Sequence, residues 1–152
     1  MLKHQEPYQV IIADDHPGVR QGIQEILHQA GNFEVIAHAS DGRKAVELVE
    51  QREPDLLILD VILPELRGDE VARQITADKS PTKILALSSF KTPQYIACML
   101  ENGASGYLTK DEAPDLIGRA AQEILQGESE IWISQELREN LRLDLDSLES
   151  ET

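Results

Sequence analysis

The chain has 152 residues, 41% of them hydrophobic, a formal net charge of −14 and a single cysteine, Cys98. That length implies one domain with a substantial core. The charge argues against the chain gripping a phosphate backbone by itself, no apolar run reaches the roughly 18 residues of a membrane span, and one cysteine excludes an internal disulfide and fits a reducing cytoplasm.

Met1-Leu2-Lys3-His4-Gln5-Glu6-Pro7 carries no apolar core of the kind a secretory leader has. Val10-Ile11-Ile12-Ala13 is a first buried strand, ending at Asp14-Asp15, and His16-Pro17-Gly18 turns the chain. Val19, Ile23, Ile26, Leu27 and Ala30 recur at helical spacing until Gly31-Asn32 stops them. Phe33 to Ala39 is a second strand. A helix marked by Ala45, Leu48 and Val49 follows and stops before Pro54. Leu56-Leu57-Ile58-Leu59 is apolar throughout, as a strand covered on both faces must be, and Asp60 ends it, with Pro64 and Gly68 beyond.

Val71, Ala72 and Ile75 mark the next helix, and Ile84-Leu85-Ala86-Leu87 a fourth strand ending at Ser88-Ser89. Pro93 suits the first turn of a helix carrying Ile96, Ala97, Met99 and Leu100, a setting in which Cys98 reads as packing rather than as a reactive thiol. Gly106-Tyr107-Leu108-Thr109 is a short fifth strand ending at Lys110. Leu116, Ile117, Ala120, Ala121, Ile124 and Leu125 then form a fifth helix, stopped by Gly127. Beyond it Ser134 caps a short helix through Leu137 and Leu141, residues 141–146 alternate, and 147–152 are polar and acidic, as a linker is. From Asp111 onward 12 acidic residues face 3 basic ones. Trp132 lies outside the predicted core and either packs this tail onto the domain or makes a dimer contact. The predicted division is residues 1–128 as the domain and 129–152 as linker helix and acidic tail.

Five β-α alternations imply an α/β fold, a doubly wound parallel sheet with right-handed crossovers; the order taken for its five strands is the flavodoxin-like 2-1-3-4-5. In such sheets ligands bind past the carboxyl ends of the strands, at the switch point. Asp14, Asp15, Asp60, Ser88 and Lys110 all stand at strand ends and converge there. Three gathered carboxylates need a cation or a proton among them, and hard oxygen ligands favour Mg²⁺. A phosphoryl group on Asp60 would need its oxygens neutralised, and Mg²⁺, Lys110 and the Ser88 hydroxyl supply that. Each residue alone has a plainer reading: Asp60 as a helix cap, Asp14-Asp15 as an Asx turn, Ser88 as a loop serine, Lys110 as a solvated lysine. Their conjunction carries the functional reading. His4, His16, His28 and His38 show no metal-ligand spacing; His16 reads as a loop residue, and zinc is not expected.

The segments Val10 to His16, Asp60 with Pro64 and Gly68, Leu87-Ser88-Ser89 and Gly103 to Lys110 resemble, in that order, the receiver domains of two-component response regulators. The resemblance runs from about Tyr8 to Gly127. Ala13 to Pro17 and Leu108 to Asp111 resemble the NarL/LuxR-type subfamily. The resemblance implies that Asp60 takes a phosphoryl group from a sensor histidine kinase. It implies Mg²⁺ held by Asp14, Asp15, Asp60 and the backbone carbonyl of Ile62, and phosphoryl contacts from Ser88 and Lys110. Tyr107 matches the aromatic switch position, turning inward from solvent as Ser88 moves, though as a residue it also reads as a plain strand aromatic. Ile62 and Phe90, two residues beyond Asp60 and Ser88, would flank the phosphoryl group and, being apolar, leave it slow to hydrolyse. The subfamily usually carries a DNA-binding domain after the receiver. DNA contact is therefore expected only through such a domain outside these residues, with a homodimer and no membrane as the other partner expectations.

Three functions compete: the phosphorylation switch, a haloacid-dehalogenase-type phosphatase, and a phosphorylation-independent interaction module. The phosphatase class wants a second aspartate where Ile62 stands, and the intact acidic set argues against a vestigial pocket. Asp111 stands where many receivers have proline after the lysine.

Overall fold

The computed structural model of the chain describes residues 6–128 and 130–141. His4, the end of the alternating 141–146 stretch and the acidic tail lie outside the described residues. The elements alternate as the periodicities require: β1 (Tyr8–Ala13), α1 (Pro17–Ala30), β2 (Phe33–Ala39), α2 (Gly42–Arg52), β3 (Leu56–Asp60), α3 (Gly68–Ala77), β4 (Lys83–Ser88), α4 (Pro93–Glu101), β5 (Gly106–Thr109), α5 (Ala113–Leu125) and β6 (Trp132–Ile133).

All strand pairs are parallel, in the order β2-β1-β3-β4-β5-β6. Successive side chains on a strand point to opposite faces, and the core divides accordingly. Ile11, Leu57, Leu59, Ile84, Ala86 and Tyr107 pack with α2, α3 and α4 through Val49, Val71, Ile75, Ile96 and Met99. Val10, Ile12, Ile58, Leu85, Leu87 and Leu108 pack with α1 and α5 through Ile23, Leu27, Ile117, Ala121 and Ile124. β3 is buried at every residue because both faces are covered, which is why its sequence shows a run and not an alternation.

Among the described residues the sheet has six strands, one more than the five predicted. β6 adds at the β5 edge, where the Trp132 N–H donates to the Ser105 carbonyl at 2.8 Å. A two-residue strand has no periodicity to read. An edge strand with free backbone groups is nonetheless a template for one more partner. The Trp132 ring sits in the α1/α5 core, its Nε1 donating to Glu123 Oε2 at 2.5 Å. Residues 135–141 are helical, with the Ser134 hydroxyl accepting the Leu137 N–H as expected of a cap. Leu137 is fully buried in the opposite core. Both cores thus draw on residues beyond 128.

Close approach explains two glycines. A Cβ at Gly68 would lie 2.5 Å from the Asp60 carbonyl oxygen, and one at Gly42 would lie 1.9 Å from the Leu66 carbonyl oxygen. Only a residue without a side chain lets α3 start against the end of β3, where the Gly68 N–H donates to the Val61 carbonyl.

Trp132→Ala removes a buried ring and its hydrogen bond, and is expected to cost about 3 kcal/mol. Urea denaturation checks it. A ring serving only a detached tail would leave the midpoint unchanged.

Candidate functional site

The site is built where four neighbouring strands end together. In register Ala13 lies beside Leu59, Asp60 beside Leu87, and Ser88 beside Thr109. Asp14, Asp60, Ser88 and Lys110 therefore emerge at one rim. The Lys110 N–H donates to the Ser88 carbonyl, tying the last two strand ends together.

Lys110 Nζ stands 3.0 Å from Asp60 Oδ2 and 3.0 Å from Asp14 Oδ2. Only the Asp60 contact has hydrogen-bond geometry. Asp14 Oδ2, on a side chain 1% exposed, has charge attraction but no directed hydrogen bond. The other oxygens are partnered locally: Asp60 Oδ1 accepts the Ile62 N–H at 3.1 Å, and Asp14 Oδ1 accepts the His16 N–H at 2.8 Å.

Burial pushes the Asp60 carboxyl up to about 6; the Lys110 ammonium and the Ile62 N–H work against that rise, and the nearby Asp14 charge adds to it. Burial also acts to raise Asp14, but the His16 N–H and Lys110 outweigh it and hold that carboxyl below its usual value. Burial alone would lower Lys110; its two carboxylate partners raise it instead. The two acids differ in environment, so the pocket keeps one carboxylate firmly ionised and the other easily protonated.

Asp14, Asp15, His16 and Asp60 each offer a ligand atom, all within 4.8 Å of one another. Three carboxylates form a small oxygen set that suits a hard divalent cation keeping several waters. The undirected Asp14 oxygen is the kind of buried acceptor such an ion, or the lysine, must satisfy.

Asp15 is exposed, at the lip of the pocket. The Ser88 hydroxyl is buried and accepts the Phe90 N–H at 3.0 Å, which leaves its own proton free to donate. Ser89 is exposed beside it. The Ile62 main chain lies against Asp60 through its N–H, and its side chain is 46% exposed. Phe90 is 42% exposed and stacks on Tyr95 with ring centroids 4.6 Å apart. The Lys110–Asp111 bond is trans, like every described peptide bond.

Tyr107 corrects an expectation. Its ring does not face solvent but is fully buried, with the hydroxyl donating to the Phe90 carbonyl at 2.7 Å. Burial raises its pKa, the neighbouring Ser88 hydroxyl opposing. An inward ring with a satisfied hydroxyl combines apolar burial with a hydrogen bond, and needs no further charge to hold it.

Two functional neighbours escaped the sequence reading. His16 is a loop residue as expected, but its imidazole turns back on the acidic pair, with Nδ1 3.1 Å from Asp14 Oδ1 and 3.0 Å from Asp15 Oδ1. Arg20, in the first turns of α1, donates through Nη1 to the Asp14 carbonyl at 2.5 Å and through Nε to His38 Nδ1 at 3.2 Å. It thereby braces the main chain that carries the acidic pair. An arginine one helical turn past an acidic strand end was the only available signal. Cys98 behaves as predicted: burial first, then the Asp69 carboxylate, pushes its thiol pKa up, the opposite of an activated thiolate.

A carboxyl raised to about 6 binds its proton more tightly in the native state than in the unfolded chain. Native stability therefore falls as pH rises from about 4 to about 6 and stays lowered above that, by up to about 3 kcal/mol. Asp60→Asn is expected to raise the urea midpoint near neutral pH and to lose that advantage near pH 4. An equal gain at both pH values would show that the charge is not its source.

The response regulator receiver domain family matches residues 10–122. The transcriptional regulatory protein DegU of Brevibacillus brevis is 38% identical over 119 residues, covering 78% of this chain and 50% of that protein. The nitrate/nitrite response regulator protein NarL of Escherichia coli strain K12 is 31% identical over 127 residues, covering 84% and 59%. The chain thus spans about half the length of the curated relatives it matches. Among solved structures, the signal receiver domain of NarL from Mycobacterium tuberculosis superposes with a TM-score of 0.78 at 32% identity, covering 81% of this chain and 99% of that one. A LuxR-family two-component response regulator from Aurantimonas sp. SI85-9A1 gives 0.84 at 27%, covering 91% and 97%. Among the described residues no helix is long and apolar enough to cross a membrane. Sequence, sheet order and strand-end chemistry agree, and the chain belongs to the response regulator receiver domain family, in its NarL/LuxR-type branch.

Proposed function

We propose that Asp60 is the phosphoacceptor of this receiver, charged by the phosphohistidine of a sensor histidine kinase. Receivers are signalling domains and not enzymes of the ordinary kind, so the chemistry is one transfer followed by a change of state. The observation that carries the reading is Lys110 Nζ at 3.0 Å from the carboxylate oxygens of both Asp60 and Asp14, below a buried carboxyl whose pKa is pushed up to about 6.

An Asp60 oxygen attacks phosphorus, the phosphorus–nitrogen bond breaks, and the kinase imidazole leaves with the bonding pair. A carboxyl at about 6 is still mostly ionised at neutral pH and so able to attack. Lys110, already between two carboxylates, is placed to exchange one of them for a phosphoryl oxygen. The Ser88 hydroxyl now accepts from the Phe90 N–H, so its own proton is free to donate to a second oxygen once it moves there. Asp14, Asp15, Asp60 and the Ile62 carbonyl would hold Mg²⁺, which supplies charge neutralisation at the phosphoryl oxygens when bound.

Ser88 and Tyr107 form the switch. Moving the Ser88 hydroxyl toward a phosphoryl oxygen releases the Phe90 N–H and disturbs the loop whose carbonyl anchors Tyr107. Output is a population shift on the α4-β5-α5 side. By likeness to DegU and NarL, that output is transcriptional, exerted through a DNA-binding portion outside these 152 residues, with homodimer formation as the accompanying step and the cytoplasm as the compartment.

Acetyl phosphate with Mg²⁺ is expected to add one labile phosphoryl group, seen by intact mass and lost in Asp60→Asn. No adduct would leave a phosphorylation-independent interaction module, and turnover of unrelated phosphoesters would indicate a phosphatase. Ile62 and Phe90 offer no group to orient an attacking water, so the adduct is long-lived. Ile62→Asn is expected to shorten its half-life about tenfold; an unchanged half-life overturns the lifetime assignment.

A further inference from the structure

We propose that His38 is a positioning residue for phosphorylation at Asp60: its neutral ring holds Arg20 against the Asp14 carbonyl, and a proton taken up at Nδ1 releases that brace and slows the transfer. The inference rests on the phosphoacceptor reading above and adds to it a dependence on pH that Asp60 itself does not supply.

Both ring nitrogens of His38 are engaged, by groups that fix its protonation. Nδ1 lies 3.2 Å from Arg20 Nε, which carries a hydrogen and can only donate. Nδ1 must therefore present its lone pair. Nε2 lies 2.6 Å from Gln24 Oε1, an acceptor, so the ring's single proton sits there. One tautomer of the neutral imidazole satisfies both contacts. The imidazolium satisfies only the second, and aims its new N–H at a guanidinium.

The surroundings of the ring carry little else that titrates. His38 lies on the edge strand β2, beside Ile12 of β1. Its ring faces α1, which brings Arg20 and the neutral Gln24. α2 covers the opposite face of the strand, where Ala37 and Ala39 pack. Burial first, and then the Arg20 charge, keep the His38 pKa below its ordinary value. The ring is therefore neutral at neutral pH, and the brace is lost as pH falls.

Arg20 is held by two neutral acceptors, His38 Nδ1 and the Asp14 carbonyl, and among the described residues no carboxylate pairs with it. Protonating His38 removes one acceptor and sets a like charge beside the guanidinium. What then moves is the other contact. The Asp14 carbonyl belongs to the planar peptide that joins Asp14 to Asp15, so its orientation sets how both side chains leave the end of β1. Asp14 Oδ2 in turn stands 3.0 Å from Lys110 Nζ, itself 3.0 Å from Asp60 Oδ2. A shift of the Asp14 main chain thus disturbs the lysine that the incoming phosphoryl oxygen needs.

The test uses the full chain and follows adduct formation from acetyl phosphate and Mg²⁺ by intact mass, from about pH 8 down to about pH 5.5, in the wild type and in His38→Glu. Each rate is taken relative to the same protein's rate at the upper pH. Glutamate stays an ionised acceptor for Arg20 throughout that range, while the titrations of Asp60 and of the phosphodonor are common to both proteins. The wild-type rate is expected to fall about twofold or more further than that of His38→Glu at the acid end. Circular dichroism checks that the variant is folded. Proton NMR of the imidazole supplies an independent measurement: Arg20→Ala removes the facing charge and is expected to raise the pH at which His38 titrates. Parallel rate profiles in the two proteins, or a His38 titration unmoved by Arg20→Ala, overturn the inference and leave Asp60 as the phosphoacceptor. Absence of an adduct at every pH overturns both.

Discussion

One cation between two buried carboxylates governs the pocket. Asp14 and Asp60 leave neighbouring strand ends in a water-poor rim, where their mutual repulsion and lost hydration would be severe alone. Lys110 Nζ, 3.0 Å from each, offsets both. The compensation is incomplete, since Asp60 remains raised to about 6 and one Asp14 oxygen lacks a directed partner. An incompletely neutralised pocket is receptive: it gains from a divalent ion, and it can pass the lysine to an incoming anion. A fully satisfied ion pair would have no reason to change partners.

The scaffold exists to hold that imbalance. Parallel pairing brings four strand ends to one edge in register, and the helices on both faces deny the carboxylates any alternative solvation. Gly68 lets α3 begin against the end of β3, because any Cβ there would meet the Asp60 carbonyl. Arg20 braces the Asp14 main chain from the α1 side and is itself set by His38. The switch elements hang on the same strand ends. Ser88 accepts from the Phe90 N–H, while Tyr107 donates to the Phe90 carbonyl. One loop residue is therefore held by both, which couples a change at the phosphoryl side to the buried aromatic.

Much of this was legible in residue order. The βα periodicity, the run ending at Asp60, the acidic pair after β1 and the lysine after β5 each leave a local mark. Sheet order came with the doubly wound fold class, whose flavodoxin-like order is 2-1-3-4-5. The misreadings are of one kind. β6 is two residues long and owes its existence to the unpaired edge of β5, so no periodic signal announced it. Trp132 packs the tail onto the domain as expected, but into the α1/α5 core and onto Glu123, and Leu137 enters the opposite core, a depth of burial that chain neighbours do not reveal. Tyr107 was expected to face solvent, since nothing in the sequence says whether a cavity waits for a ring. The contact of His16 with the acidic pair went unread, because it is made by adjacent residues folded back in a turn.

The sequence by itself determined the alternating elements, the residue types at each strand end and hence the class of chemistry, because buried runs, turn residues and helical spacing are properties of short stretches. Only the tertiary structure decided that Lys110 is shared by two acids, that the imidazole of His16 joins them, that Tyr107 lies inward and that the sheet has a sixth strand. Those depend on distances between groups such as Lys110 and Asp60, fifty positions apart along the chain. Such distances are set by packing of the whole sheet, which no local pattern encodes.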